Sequence, residues 1–127
     1  THDNCLVVKS LGRSNFFNAL AHVDAMVGNS SAGVVESASF GLPTVNIGDR
    51  QAGRIAPKNV IACSDDIDSV QSAWERALSS NFRRACANTK NPYGDGQASR
   101  RIVERLKIVK IDDALLRKKF HIQEPKS

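Results

Sequence analysis

No stretch of this chain approaches the roughly 20 consecutive apolar residues that a membrane-spanning helix needs, and the N-terminus lacks the basic and apolar regions of a signal peptide. Its three histidines, His2, His22 and His121, are scattered, which argues against a metal centre. The three cysteines, Cys5, Cys63 and Cys86, are odd in number and far apart, with no C-x-x-C pair, so reduced, buried thiols are expected in place of zinc ligands or disulfides. Ser31 has no G-x-S-x-G elbow around it, and no histidine follows at a strand end, which sets aside a Ser-His-Asp hydrolase. These absences lead us to expect a cytoplasmic protein without membrane contact, metal or cofactor. An initiator methionine is also lacking, so either a processed start or a piece of something longer is expected.

What is present has the composition of a globular domain: 127 residues, 41% hydrophobic and 24% charged, enough to bury roughly two-thirds of the unfolded surface. The net charge is +5, and its distribution matters more than its size. Between Arg100 and Lys119 there are eight bases against three acids, so the whole excess lies near the C-terminus. Such a tail either meets nucleic acid or solvates a helix face. Only Phe120 offers it an aromatic platform, and no basic-aromatic alternation is present, so nucleic acid is not the favoured partner.

Along the chain, residues 5–9 (CLVVK) read as a short buried strand. Asn15 is placed to cap a helix over residues 16–22, a second strand covers 25–27, and a helix runs from Ala32 to Phe40, ended by Gly41 with Pro43 beyond it. Residues 43–47 and 59–63 read as further strands. Asp65 or Asp66 caps a helix whose stripe Ile67, Val70, Ala73, Trp74, Ala77 and Leu78 is expected to bury the single tryptophan. A short helix over 82–87 and a turn-rich loop over 91–96 follow. A helix over 97–109 comes next, with Ile102, Val103, Leu106 and Val109 inward, and then an amphipathic turn over 112–120 before an end expected to fray. Strands alternating with helices predict an α/β fold, a Rossmann-like parallel sheet flanked by helices. The expected division is a Rossmann-like domain over residues 1–111 and a basic helix and tail over 112–127.

In such sheets ligands bind beyond the carboxyl ends of the strands. There the chain places Gly28-Asn29-Ser30-Ser31-Ala32-Gly33, a strand-to-helix turn of small residues suited to an anion such as a phosphate, although small residues also make ordinary turns. If the ligand is a nucleoside diphosphate, Ser30, Ser31 and Gly33 offer it hydroxyls and N–H groups. Glu36, one turn on, leans back toward the same mouth, where a carboxylate accepts from two vicinal ribose hydroxyls; otherwise it is a solvated helix residue. Arg50 adds a cation beyond the next strand, or is a surface arginine. Phe16 stacks on a base in one reading and fills the core in the other, with Phe17 competing for either role.

The block GNSSAGVVESASFGLPTVNIGDRQAGR, residues 28–54, resembles the nucleotide-binding segment of the hydrolysing UDP-N-acetylglucosamine 2-epimerases, sialic- and legionaminic-acid pathway enzymes of the glycosyltransferase-B fold. SLGRSNFF before it, and NPYGDGQASRRIVERL and LLRKKF after it, resemble the same family. The Asn-Ser-Ser form with Gly-Asp-Arg-Gln downstream is more similar to the hydrolysing branch than to the non-hydrolysing one, which usually shows Asp-Ser-Gly-Gly. The resemblance implies that Ser30 and Ser31 bind the UDP phosphates, Glu36 the ribose and Arg50 the diphosphate. It also places Phe16 near the uracil and gives Leu11 backbone contacts. The implied reaction takes UDP-GlcNAc and water to N-acetylmannosamine and UDP, by anti elimination to a glycal and then hydration.

The catalytic acids and bases of that reaction belong to the family's N-terminal domain, which this chain does not contain. The chain is therefore expected to bind UDP or UDP-GlcNAc but to be inactive alone. The alternative is a non-catalytic nucleotide-binding or interaction module. The family's C-terminal sheet has strand order 3-2-1-4-5-6, and the four strands expected here correspond to its third to sixth. With the first two missing, the 5–9 strand must move in beside the next strand, dock on another chain or lie loose. A homo-oligomer or a displaced N-terminal segment is expected.

Overall fold

The computed structural model describes residues 4–117. The chain divides into two compact units, Thr1–Tyr93 and Gly94–Ser127.

In the first unit, α1 (Gly12–His22) leads to β1 (Met26–Gly28), α2 (Ser31–Val35), a 3-10 turn (Ser37–Phe40), β2 (Thr44–Ile47), β3 (Val60–Cys63), α3 (Ile67–Leu78) and α4 (Ser80–Cys86). The three strands form one parallel sheet in the order β1-β2-β3. This is the expected Rossmann-like alternation, with helices flanking the sheet. Val27, Val45 and Ile61 stand side by side in register, and because side chains alternate along a strand they share one face. Val45 and Ile61 pack there against Ala73 and Ala77 of α3. The side chain of Val45 is fully enclosed, worth about 1.5–3 kcal/mol relative to exposure. On the other face α2 lies close, because Gly33 has no side chain to hold it away from Thr44.

The helix ends follow local chemistry. Asp66 caps α3 by accepting from the Ser69 N–H, and Ser79 caps α4 by accepting from Phe82. Gly41, at φ +59°, takes the left-handed conformation that stops the 3-10 turn and that a residue with a Cβ adopts only at a cost.

Several expectations are corrected. Residues 5–9 form no strand: Leu6 and Val7 are 87% and 88% exposed, since a β-branched run becomes a strand only beside another strand. The segment lies outside the sheet, so it does not move in beside the next strand, the first of the three outcomes anticipated for it. Cys5 is accordingly exposed, whereas Cys86 is buried and Cys63 half-buried. Helix α1 begins at Gly12 with no side-chain cap, so Asn15 lies inside it. The helix expected from Ala32 to Phe40 is a five-residue α-helix followed by a 3-10 turn. Trp74 is 40% exposed; the core face of α3 is the small-residue face of Ala73 and Ala77, which lets the helix approach the sheet more closely than an indole would allow.

The second unit holds α5 (Ala98–Ile108) and α6 (Asp113–Leu116), the latter capped by Asp112. No residue of α5 is buried, so Ile102, Val103 and Leu106 do not face a core as expected, and Val109 is half-buried just beyond the helix. Arg101 is bidentate to Asp95 at 2.9 and 2.5 Å, and Arg100 pairs with Glu104 one turn on at 3.6 Å. The remainder of the turn expected over 112–120, and the polar end after it, lie outside the described residues. No described helix is long and apolar enough to cross a membrane.

Candidate functional site

The carboxyl end of β1 closes at Gly28, whose φ of +146° turns the chain in a way that L side chains rarely follow. Only Asn29 and Ser30 separate it from α2. Ser30 is extended, and its Oγ accepts from the Ala32 N–H at 3.3 Å while its carbonyl accepts from the Gly33 N–H at 3.1 Å. It is therefore the N-cap, which leaves Ser31 exposed on the first turn. A helix of five residues carries little macrodipole. What the turn offers an anion is chiefly its hydroxyls and N–H groups.

Gly33 also has a packing job, besides the one expected of it. It is buried, and a Cβ built on it lies 2.9 Å from Thr44 Cγ2. The glycine is needed for contact between α2 and the sheet.

The loop after β2 reaches across to this turn. Gly48 donates its N–H to Cys63 O at 2.9 Å, and residues 49–54 close two turns, Ala52 N–H to Asp49 O and Arg54 N–H to Gln51 O. From that base Arg50 donates to Asn29 Oδ1 at 3.4 Å, and Gln51 Nε2 donates to the Asn29 carbonyl at 2.8 Å. The structure thus gathers Ser30, Ser31 and Arg50 at one strand end, as the sequence predicts. It adds Asn29 and Gln51, which sequence reasoning missed. Glu36 stands at the C-cap of α2, half-buried, with Oε2 enclosed and unpartnered.

Leu11 and Phe16 belong to a second group. They line a cavity of about 320 Å³ with Val8, Ser10, Gly12 and Arg13. Phe16 is half-buried, its ring 6.1 Å from that of Phe17, which in turn lies 5.9 Å from Phe40. Phe17 takes the packing role, under the Arg13 guanidinium at 5.4 Å. Among the described residues no hydrogen bond links this group to the Ser30 turn.

The loop over 91–96 also gains an assignment. Asn91 Nδ2 donates to Val35 O at 2.8 Å and to Ser39 Oγ at 2.7 Å, and the Tyr93 hydroxyl donates to Ile55 O at 3.0 Å. It braces the end of α2 and the loop after β2. Burial raises the thiol pKa of Cys86, and burial followed by the nearby Asp66 raises that of Cys63, so neither is tuned as a nucleophile. Among the described residues no cluster of His, Cys, Asp and Glu is grouped to hold a metal ion.

Residues 1–107 match the family model described as UDP-N-acetylglucosamine 2-epimerase. The chain belongs to that family. It is 37% identical over 117 residues to the UDP-N,N'-diacetylbacillosamine 2-epimerase (hydrolyzing) of Legionella pneumophila, an overlap of 92% of this chain and 30% of that protein. It is also 38% identical over 75 residues to the GDP/UDP-N,N'-diacetylbacillosamine 2-epimerase (hydrolyzing) of Campylobacter jejuni, covering 59% of this chain and 19% of that protein. To the UDP-N-acetylglucosamine 2-epimerase of Neisseria meningitidis it is 32% identical over 77 residues, 61% of this chain and 20% of that one. The chain thus spans less than a third of the length of the curated relatives it matches.

Proposed function

We propose that this epimerase-family chain is the UDP-binding portion of a hydrolysing UDP-N-acetylglucosamine 2-epimerase, inactive by itself. In the whole protein the reaction takes UDP-GlcNAc and water to N-acetylmannosamine and UDP, by elimination of UDP and then hydration of the glycal. The diphosphate sits on the Ser30 and Ser31 hydroxyls with Arg50 opposite, Phe16 and Leu11 hold the uracil end, and Glu36 takes the ribose. The observation that carries this reading is the Glu36 carboxylate. Its Oε2 is enclosed without a partner, an arrangement that costs free energy unless a donor arrives, and a ribose brings two hydroxyl donors. Helix geometry tilts the Glu36 side chain toward the start of α2, where the serines lie.

The test is a calorimetric titration of the folded chain with UDP, beside the Glu36→Ala variant. Loss of a charged hydrogen-bonding partner weakens binding by about 1.5–3 kcal/mol, roughly 10- to 150-fold. A folded chain that binds no UDP sinks the proposal. Release of UDP from UDP-GlcNAc on adding the remainder of a family enzyme as a second chain separates an enzyme part from a non-catalytic module.

A further inference from the structure

The loop over 48–56 is exposed at every position except one. Asp49, Arg50, Ala52, Gly53 and Arg54 all face solvent, whereas Gln51 is only 9% exposed. A long polar amide in the midst of a surface loop is turned inward, and its single hydrogen bond runs from Nε2 to the backbone carbonyl of Asn29 at 2.8 Å. Its Oε1 is enclosed with no partner, so the side chain is held inward although it satisfies only half of its own polar capacity.

Asn29 is the hinge of the turn, between Gly28, with its positive φ, and the N-cap Ser30. On the helix side the turn is tied by the two bonds that Ser30 accepts. On the strand side, among the described residues, Asn29 accepts from the loop after β2, through Arg50 to its side chain and Gln51 to its backbone. The Arg50 bond is long, 3.4 Å, and lies on the surface. An arginine that turns to a diphosphate gives up that bond, whereas the Gln51 bond is part-buried, comes from a side chain turned inward and need not change.

We infer that Gln51 is a positioning residue, a clamp that fixes the Asn29 carbonyl and thereby holds the Ser30-Ser31 turn in its anion-binding shape while Arg50 engages the ligand. The inference rests on the proposed diphosphate site. It assigns Gln51 no contact with the ligand.

Two variants and two measurements test it. Gln51→Met keeps the volume and removes the donor, and Gln51→Glu keeps the shape but only accepts, facing a carbonyl. Amide hydrogen exchange at Ala32 and Gly33 is read by NMR in the ligand-free chain, and UDP affinity by calorimetry. With the clamp gone, exchange at both amides accelerates and UDP binding weakens, each by about fivefold or more, the worth of one hydrogen bond. The melting temperature of Gln51→Met stays at that of the wild type, a split that a merely structural residue does not give. Wild-type exchange rates in both variants, or a loss of affinity matched by an equal loss of global stability, overturns the inference. Failure of the wild type to bind UDP overturns the functional proposal instead, and the exchange measurement still decides the clamp.

Discussion

Asn59 donates from its side-chain amide to Ser37 Oγ at 2.8 Å, and the Ser37 hydroxyl donates onward to the Gly33 carbonyl at 2.6 Å. The same amide donates to Leu42 O at 2.7 Å. Both Asn59 and Ser37 are fully buried, so this relay ties the entry of β3 to the helix that follows the candidate phosphate turn. Asn59→Ala removes both donated bonds and is expected to lower the unfolding free energy by about 1–3 kcal/mol, read from the midpoint of a urea transition at constant slope. A midpoint equal to that of the wild type contradicts the relay.

Gly33→Ala sets two effects against each other. Alanine is the better helix former by about 1 kcal/mol, but its Cβ meets Thr44 Cγ2 at 2.9 Å, and overpacking of a buried contact costs about 1–3 kcal/mol. Thr44 is buried on a β-strand with its hydroxyl bonded to Leu42 O, so it has little room to move. Net destabilisation is expected. Thr44→Ser, which removes the clashing methyl, rescues it in the double variant; additive effects in that cycle rule out the steric account.

The cap of α3 is acid-sensitive. The Ser64 hydroxyl and then the Ser69 N–H, both donating to Asp66, lower its pKa from 3.8 to about 2. A carboxyl depressed on folding contributes stability that is complete above the unfolded value and is lost as pH falls through the folded one. The difference in melting temperature between wild type and Asp66→Asn should therefore be constant above about pH 4 and shrink between pH 3.8 and about 2. Asp95, lowered to about 2 chiefly by hydrogen bonding to Arg101, leaves a second acid-dependent element in the variant. A difference that stays level down to pH 2 refutes the cap.

Trp74, the single tryptophan, lines an apolar groove of about 560 Å³ with Val27, Ile67 and Val70. Its fluorescence is expected to be quenched readily by acrylamide in the folded chain. Resistance to quenching like that of an interior indole contradicts the orientation of α3.

The alternation of strands and helices was legible because it depends on neighbours in sequence: an apolar run, a cap, a glycine stop. The meeting of Ser30, Ser31 and Arg50 was legible because loops that follow parallel strands open at one edge of the sheet. What was not legible depends on distant partners. CLVVK has the composition of a strand, but strand formation needs an adjacent edge, and composition does not reveal its absence. The α3 stripe expected to face the core holds both Trp74 and the pair Ala73 and Ala77, and helical spacing does not say which of them meets the sheet. Close packing against Val45 and Ile61 decides between them. Gln51 carries no motif, since its role arises from a bond to a residue 22 positions away.

Among the described residues, the strand that leads to the candidate site has a partner on one side only. Met26 donates its N–H to Pro43 O, so alternation aims the Val27 N–H the other way, where the described residues place no strand. Val27 is itself 40% exposed at that edge. Two consecutive amides of β1 should therefore keep different time in deuterated water, Met26 exchanging on the scale of sheet opening and Val27 on that of a solvated peptide. A strand arriving at that edge would bring the two rates together, so the Val27 amide is a built-in reporter of whatever completes the sheet.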